Sequence, residues 1–231
     1  MKHSTASAAR ARPRPVRGES RSDGVARRLR ERIIAGRLPA GELIAESATA
    51  ERLRVSRVPV REALFALQRE GLVVFSGSGR AYVREFADAD FRELLELRLI
   101  IEPGAARHAA RNLAAGDEAL MRRNLDALEK TRGLLELQEL DLELHTLIVG
   151  FARLPRLQLF WESLLPQIRA VLAQGYRAGR VRFADVKPVT IAGQRRLVET
   201  VGSRDGERAA AEMAKHVVCW SEWFASHPTP V

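Results

Sequence analysis

A carboxylate and an imidazole stand four residues apart at Asp141 and His145. Residues with this spacing on a helix point the same way, so both side chains could reach one divalent cation. The pair lies at the edge of an apolar stripe made of Leu137, Leu140, Leu144, Ile148 and Phe151. A simpler alternative is a hydrogen bond between the two residues inside a helical core. The spacing therefore indicates a candidate metal site and leaves both alternatives open.

Three more polar residues, Arg98, Gln194 and His216, lie on or beside apolar faces of other predicted helices. A buried polar group needs a partner, because leaving it unsatisfied costs free energy. Arg98 could pair with Glu102 one turn along its own helix. A histidine in such a position is more often a hydrogen-bonded core residue than a ligand, and spacing alone does not bring these helices together.

Residues 56–67 carry a different chemistry, the recognition of DNA. Arg57 and Arg61 share one face of a predicted helix that Ser56 is expected to cap. The opposite face is apolar and consists of Val60, Ala63, Leu64 and Leu67. A basic face on an amphipathic helix is typical of a helix that reads DNA.

Positive charge is concentrated in the same third of the chain. Residues 1–83 hold 17 Lys+Arg against 8 Asp+Glu, a net of +9, so this part carries the whole formal charge of +9. Phosphate backbones attract such a surface whatever their base sequence. We expect residues 1–22, with arginines among Pro, Ser and Ala, to form a flexible basic arm.

Residues 23–84 contain the elements that must position the two arginines. Helical periodicity predicts three helices, and two β-prone runs flank a glycine-containing turn. The predicted spans are 24–36, 47–53 and 57–70 for the helices and 72–75 and 81–83 for the strands. This order predicts a winged helix-turn-helix, whose third helix enters the major groove while its wing reaches phosphates or the minor groove.

Residues 88–226 read as helices almost throughout. Apolar stripes recur at helical spacing, which predicts an all-α bundle of six to seven helices and a mainly α chain. The predicted spans are 88–113, 117–132, 136–152, 156–178, 187–202 and 205–225. Cys219 is the sole cysteine, and no apolar run approaches the roughly 20 residues that span a bilayer. We therefore expect a cytoplasmic protein without an internal disulfide or a membrane partner.

The N-terminal motifs resemble those of one family of regulators. The sequence Ser-Arg-x-Pro-Val-Arg-Glu-Ala-Leu begins at Ser56, and Leu-x-x-Glu-Gly-Leu-Val begins at Leu67. On these residues, 25–83 resembles the DNA-binding domain of GntR-type bacterial transcription regulators. Arg54 stands where the family usually has glycine, so the turn either holds a left-handed arginine or is rebuilt. The resemblance implies DNA contacts by Ser56, Arg57, Pro59 and Arg61, and wing contacts by Gly79 and Arg80.

Residues 90–225 resemble the FadR-type effector domain, called FCD. The matching pieces are Arg98 with Glu102-Pro103, Asp141-x-x-x-His145, and Asp205 with His216. The resemblance implies one divalent metal ion, Zn, Ni or Mn, held by Asp141, His145 and His216, and a small carboxylate effector near Arg98 and Gln194. Gln194 stands where metal-binding members have histidine. This departure leaves three outcomes open: a harder cation, a metal held only with effector, or no metal.

These features predict a ligand-responsive transcription regulator, with repression expected because most members of the family repress. It would bind double-stranded operator DNA as a homodimer and respond to a small organic acid through the link at residues 84–88. A metal-dependent enzyme acting through the helical domain is the alternative, although no nucleophile or general-base motif supports it. A nonspecific nucleic-acid binder is the third hypothesis.

Overall fold

Nine helices and two short strands make up the part of the chain that the computed structural model describes, residues 20–177, 179 and 182–225. In chain order they are α1 (Arg21–Ile34), α2 (Glu46–Leu53), α3 (Arg57–Arg69), β1 (Val73–Phe75), β2 (Ala81–Val83), α4 (Asp88–Asn112), α5 (Asp117–Lys130), α6 (Leu134–Phe151), α7 (Pro155–Arg177), α8 (Phe183–Gly202) and α9 (Gly206–Ala225). The mainly α fold predicted from the sequence is confirmed.

The N-terminal unit is a winged helix-turn-helix, as predicted. Its core is formed by the apolar faces of α1 and α3, and the antiparallel hairpin pairs Val73 with Val83. α1 begins at Arg21, three residues before the predicted start, because Ser20 and Asp23 form a capping box. Residues 1–19 of the predicted arm lie outside the described residues.

The turn between α2 and α3 keeps its sharp geometry without glycine. Arg54 adopts the left-handed conformation, with φ 53° and ψ 46°, and its N–H donates to the carbonyls of Ala50 and Glu51. The predicted cap at Ser56 is wrong in detail. Ser56 occupies the N-cap position, but its exposed hydroxyl makes no capping hydrogen bond within the described structure, since water can satisfy both it and the first helical N–H groups.

The C-terminal unit is a bundle of the six helices α4–α9, within the predicted range for this part of the described chain. The long helix α4 packs along α9 and also against α6 and α7. Five of the six helices begin within two residues of the predicted start, whereas α8 begins at Phe183 rather than 187. Pro188 lies inside α8. Because proline is best tolerated in the first turn of a helix, its position favours a start near residue 187, and the sequence therefore missed the preceding turn.

Helix α7 connects the two units. Nη1 of Arg177 donates to the carbonyl oxygen of Ile34, the last residue of α1, at 2.6 Å. Nε2 of Gln174 donates to the carbonyl oxygen of Phe86, in the link before α4, at 2.9 Å. Side chains of α7 therefore hold both the first helix of the N-terminal unit and the connecting segment.

Candidate effector and DNA-binding sites

Six polar side chains meet inside the helical bundle, which we call the buried polar cluster. They come from four helices, and each is at most 4% exposed. The members are Arg98 and Glu102 on α4, Asp141 and His145 on α6, Gln194 on α8, and His216 on α9. The structure thus brings together every candidate effector or metal residue that the sequence indicated. Glu102 was not predicted as a site residue, although its spacing from Arg98 had predicted an ion pair.

Three members of the buried polar cluster are arranged as possible metal ligands. Nε2 of His216 lies 3.4 Å from Oδ1 of Asp141, and Nε2 of His145 lies 3.9 Å from Oδ2. Candidate ligand atoms of all three residues lie within 4.8 Å of one another. Ligands about 2.1 Å from a metal ion are about 3 to 3.4 Å apart, so a small inward shift would let the three atoms share one ion. The residues fit a divalent cation.

Glu102 orients the imidazole ring of His145. Burial raises the pKa of Glu102, but the charges of Arg98 and His145 outweigh burial and lower it to about 2. The ionised carboxylate only accepts hydrogen bonds, so the neighbouring Nδ1 of His145 must carry a proton. Nε2 of the same ring has no hydrogen-bond partner within the described residues, so it is the nitrogen left to face a cation. A carboxylate behind a ligating histidine is the usual support of a metal site.

Asp141 and His216 are held in complementary charge states. Burial raises the pKa of Asp141, yet the nearby His216 and His145 and the hydrogen bond from Gln194 lower it to about 2. Burial lowers the pKa of His216 from 6.5, which keeps the imidazole neutral near pH 7. The aspartate thus offers an anionic oxygen, and the histidine offers a neutral nitrogen.

Arg98 lies between the buried polar cluster and a small apolar pocket. Its Nε donates to Oε1 of Glu102 at 2.5 Å, which confirms the ion pair that the spacing suggested. The pocket lies between α4 and α7 and is lined, besides Arg98, by Phe91, Leu94, Leu95, Ile168, Val171 and Leu172. A guanidinium at the end of an apolar pocket is suited to a carboxylate that carries an apolar group.

Gly193 and Gln194 shape the α8 side of the buried polar cluster. Nε2 of Gln194 donates to Oδ1 of Asp141 at 2.9 Å. At Gly193 an added Cβ would lie 2.5 Å from Nδ1 of His216, so any side chain there would displace the imidazole. The sequence did not reveal this role of Gly193, because the contact depends on how α8 and α9 pack.

The predicted DNA-binding residues lie on two exposed features of the N-terminal unit. Ser56, Arg57 and Arg61 are exposed on the first two turns of α3, and Pro59 is half-buried there. The wing tip presents Gly79 and Arg80, both exposed. Gly79 has φ +76°, a conformation that favours glycine, and it closes the turn between the strands. The arginines can therefore approach a DNA surface.

Comparison with known proteins matches a family model to each of the two units. The model for bacterial regulatory proteins of the gntR family matches residues 21–83, and the FCD domain model matches residues 93–218. The HTH-type transcriptional repressor RspR of Escherichia coli K12 is 28% identical over 195 residues, 82% of either chain. The Nta operon transcriptional regulator of Aminobacter aminovorans is 30% identical over 146 residues, 62% of this chain and 63% of that protein.

A solved structure shows the same fold. Escherichia coli McbR/YncC superposes with a TM-score of 0.78 at 22% identity, covering 90% of this chain and 98% of that chain. No helix of the described residues is long and apolar enough to cross a membrane. Because the relatives are transcription regulators, they favour that class over the enzyme alternative. With one model matched to the winged unit and the other to more than half of the chain, this protein belongs to the GntR family of bacterial regulatory proteins, in the branch that carries an FCD domain.

Proposed function

We propose that the protein is a transcription repressor that binds operator DNA as a homodimer and responds to a small carboxylate bound beside a divalent metal ion. The buried polar cluster is the observation that carries the ligand-responsive part of this proposal. The repressor RspR, similar over most of its length, supports repression as the direction of control.

The charge of the buried polar cluster favours a metal and an acid together. Histidines that bind a metal are neutral, so in the metal complex Arg98 contributes one positive charge, Glu102 and Asp141 contribute one negative charge each, and the side chains together carry −1. A lone buried charge is costly. One divalent cation would change the charge to +1, and one carboxylate would then bring it to zero.

Asp141, His145 and His216 would hold the metal, which as Zn, Ni or Mn would supply a Lewis-acidic centre for a carboxylate oxygen. Arg98 would bind the same carboxylate through guanidinium N–H groups that Glu102 does not use. The small apolar pocket between α4 and α7 would have to widen to take an apolar part of the effector.

The N-terminal unit would bind DNA with α3 in the major groove, where Arg57 and Arg61 reach base edges or phosphates. Ser56 and Pro59 would lie against the backbone, and Gly79 and Arg80 would bring the wing to the flanking groove. A two-fold homodimer would place two copies of α3 on paired half-sites. The sequence predicted these roles, and the exposure of the residues supports them.

Helix α7 offers a route from the effector to the DNA-binding unit. Ile168 and Leu172 line the pocket beside Arg98, and Arg177 on the same helix binds the end of α1. An effector that favours one position of α7 would therefore favour one position of α1. This route adds to the link at residues 84–88.

Thermal unfolding with Mn²⁺ tests the metal site, followed by the same measurement with a panel of small carboxylates. We expect Mn²⁺ to raise the Tm of the wild type and not of His145→Ala. A saturating ligand at 100 times its Kd adds about 2.7 kcal/mol of stability. A wild type that gains no stability from Mn²⁺, Ni²⁺ or Zn²⁺, and retains none of them when purified without chelator, would contradict the metal site.

A further inference from the structure

Gln194 faces Asp141 with its nitrogen rather than its oxygen. The amide atom that lies 2.9 Å from Oδ1 of Asp141 is Nε2, which donates a hydrogen bond to the carboxylate. The amide oxygen is buried and has no hydrogen-bond partner in the described ranges. In this arrangement Gln194 orients a ligand and does not offer one.

The protein therefore supplies three ligand atoms to a cation: one carboxylate oxygen and two imidazole nitrogens. Divalent Mn, Ni and Zn ions take four to six ligands, so one to three positions stay open. Because Asp141, His145 and His216 are all at most 4% exposed, a ligand in those positions must enter a buried space. A carboxylate suits them, since it brings oxygen atoms and negative charge together.

We infer that Gln194 makes metal binding depend on the acid: with Gln194 as a support for Asp141, each of the two ligands strengthens the binding of the other. The inference rests on the proposed metal and acid site. Because metal coordination keeps its histidine ligands neutral, metal alone leaves the buried polar cluster at +1, and a carboxylate beside the metal brings it to zero. Linkage requires that a gain in metal affinity caused by the acid equals the gain in acid affinity caused by the metal.

The variant Gln194→His tests the role of Gln194 in coupling acid and metal binding separately from the existence of the metal site. An imidazole at position 194 adds a nitrogen ligand and fills one of the open positions. Metal affinity should then rise in the absence of acid, and the acid should increase that affinity by a smaller factor than it does in the wild type. Gln138→His is the matched control, because Gln138 is a buried glutamine on α6 whose Nε2 donates to the carbonyl of Arg169, outside the buried polar cluster.

The experiment is a titration of each purified protein with Mn²⁺, with free Mn²⁺ followed by electron paramagnetic resonance, in the presence and absence of acetate or glycolate. We expect an acid to tighten Mn²⁺ binding by the wild type about tenfold or more, a coupling of about 1.4 kcal/mol. Gln194→His should bind Mn²⁺ about tenfold more tightly than the wild type without acid, a change comparable to those caused by altering a ligand's support. Gln138→His should behave like the wild type.

The outcomes distinguish the inference from the proposed function. Wild-type affinity that neither acid changes, or an equal acid effect in the wild type and Gln194→His, overturns the role of Gln194 and leaves the metal site standing. If neither protein binds Mn²⁺ better than His145→Ala does, the metal site itself is wrong, and the inference falls with it.

Discussion

At the scale of single residues, Glu102 determines which ring nitrogen of His145 faces Asp141. The Glu102 carboxylate accepts a hydrogen bond from Nδ1 of His145, and Nε2 of the same ring faces Asp141. The sequence indicated five members of the buried polar cluster from helical spacing and resemblance, whereas the contact between Glu102 and His145 joins α4 to α6. Local periodicity carries no information about such a contact.

Replacing Glu102 by glutamine should weaken Mn²⁺ binding about 10- to 100-fold, the usual cost of losing a partner behind a metal ligand. The amide can no longer hold the Nδ1 proton of His145 as a carboxylate does. The Mn²⁺ titration measures the change. Glu129→Gln is the control, since Glu129 pairs with Arg195 at the surface. Equal affinities for the two variants would contradict the role of Glu102.

The metal-free protein should lose stability as the pH falls below about 6.5. Burial lowers the pKa of His216 from 6.5 in the folded protein. Between the folded and the unfolded pKa, the unfolded chain is therefore protonated at His216 and the folded chain is not. The contribution of His216 to the free energy of unfolding is complete above the unfolded pKa and is lost as the pH falls through the lower, folded pKa. Glu102 and Asp141, with pKa values lowered from 4.5 and 3.8 to about 2, extend the loss to lower pH.

Urea unfolding in the presence of a chelator, between pH 7.5 and 5, measures this dependence. His216→Gln should flatten the part of the profile nearest pH 6.5, because the titrating group is gone. A variant whose free energy of unfolding falls with pH as steeply as that of the wild type would contradict the assignment to His216.

At the scale of elements, the order and faces of the helices followed from apolar spacing, while their junctions did not. The buried face of α3 was predicted because Val60, Ala63, Leu64 and Leu67 recur at helical spacing, and all four are buried. The left-handed Arg54 and the uncapped Ser56 depend on the turn between two helices. The contacts of α7 with α1 join residues more than 140 positions apart, which no local pattern reveals.

Arg61→Ala should weaken binding to an operator fragment by about 1 to 3 kcal/mol, the cost of losing a good contact with a base edge. Arg123→Ala is the control, because Arg123 is equally exposed but lies on α5 in the helical bundle. Fluorescence anisotropy at one fixed salt concentration measures both affinities, and circular dichroism checks the helical content. Normal operator binding by Arg61→Ala would contradict the role of α3.

Arg177→Ala should leave operator binding close to that of the wild type and reduce the change in DNA affinity that ligands cause. The variant loses the 2.6 Å hydrogen bond between α7 and the end of α1. The measurement compares operator affinity with and without Mn²⁺ plus acid. Arg169→Ala, also on α7, removes an ion pair with Glu139 instead and should respond normally. An unchanged response in Arg177→Ala would exclude this route.

At the scale of the whole molecule, the excess positive charge lies in the N-terminal unit and the proposed ligand site lies in the C-terminal unit. The N-terminal third carries the net charge of +9, and the rest of the chain is balanced. Charge counting and the motif at Ser56 both indicated the unit that we expect to bind DNA, because attraction to phosphate depends on net charge rather than on exact geometry. The buried polar cluster, which we propose as the sensing site, required the three-dimensional structure, since its members come from α4, α6, α8 and α9.

Sequence-specific binding as a homodimer is the central claim, and footprinting on the DNA upstream of the protein's own gene tests it most directly. Excess unrelated DNA should be present, because the basic unit attracts any duplex. We predict one protected segment with two-fold symmetric half-sites, which Arg61→Ala no longer protects and Arg123→Ala does. Uniform protection without a preferred site, or a protected segment without paired halves, would contradict the claim.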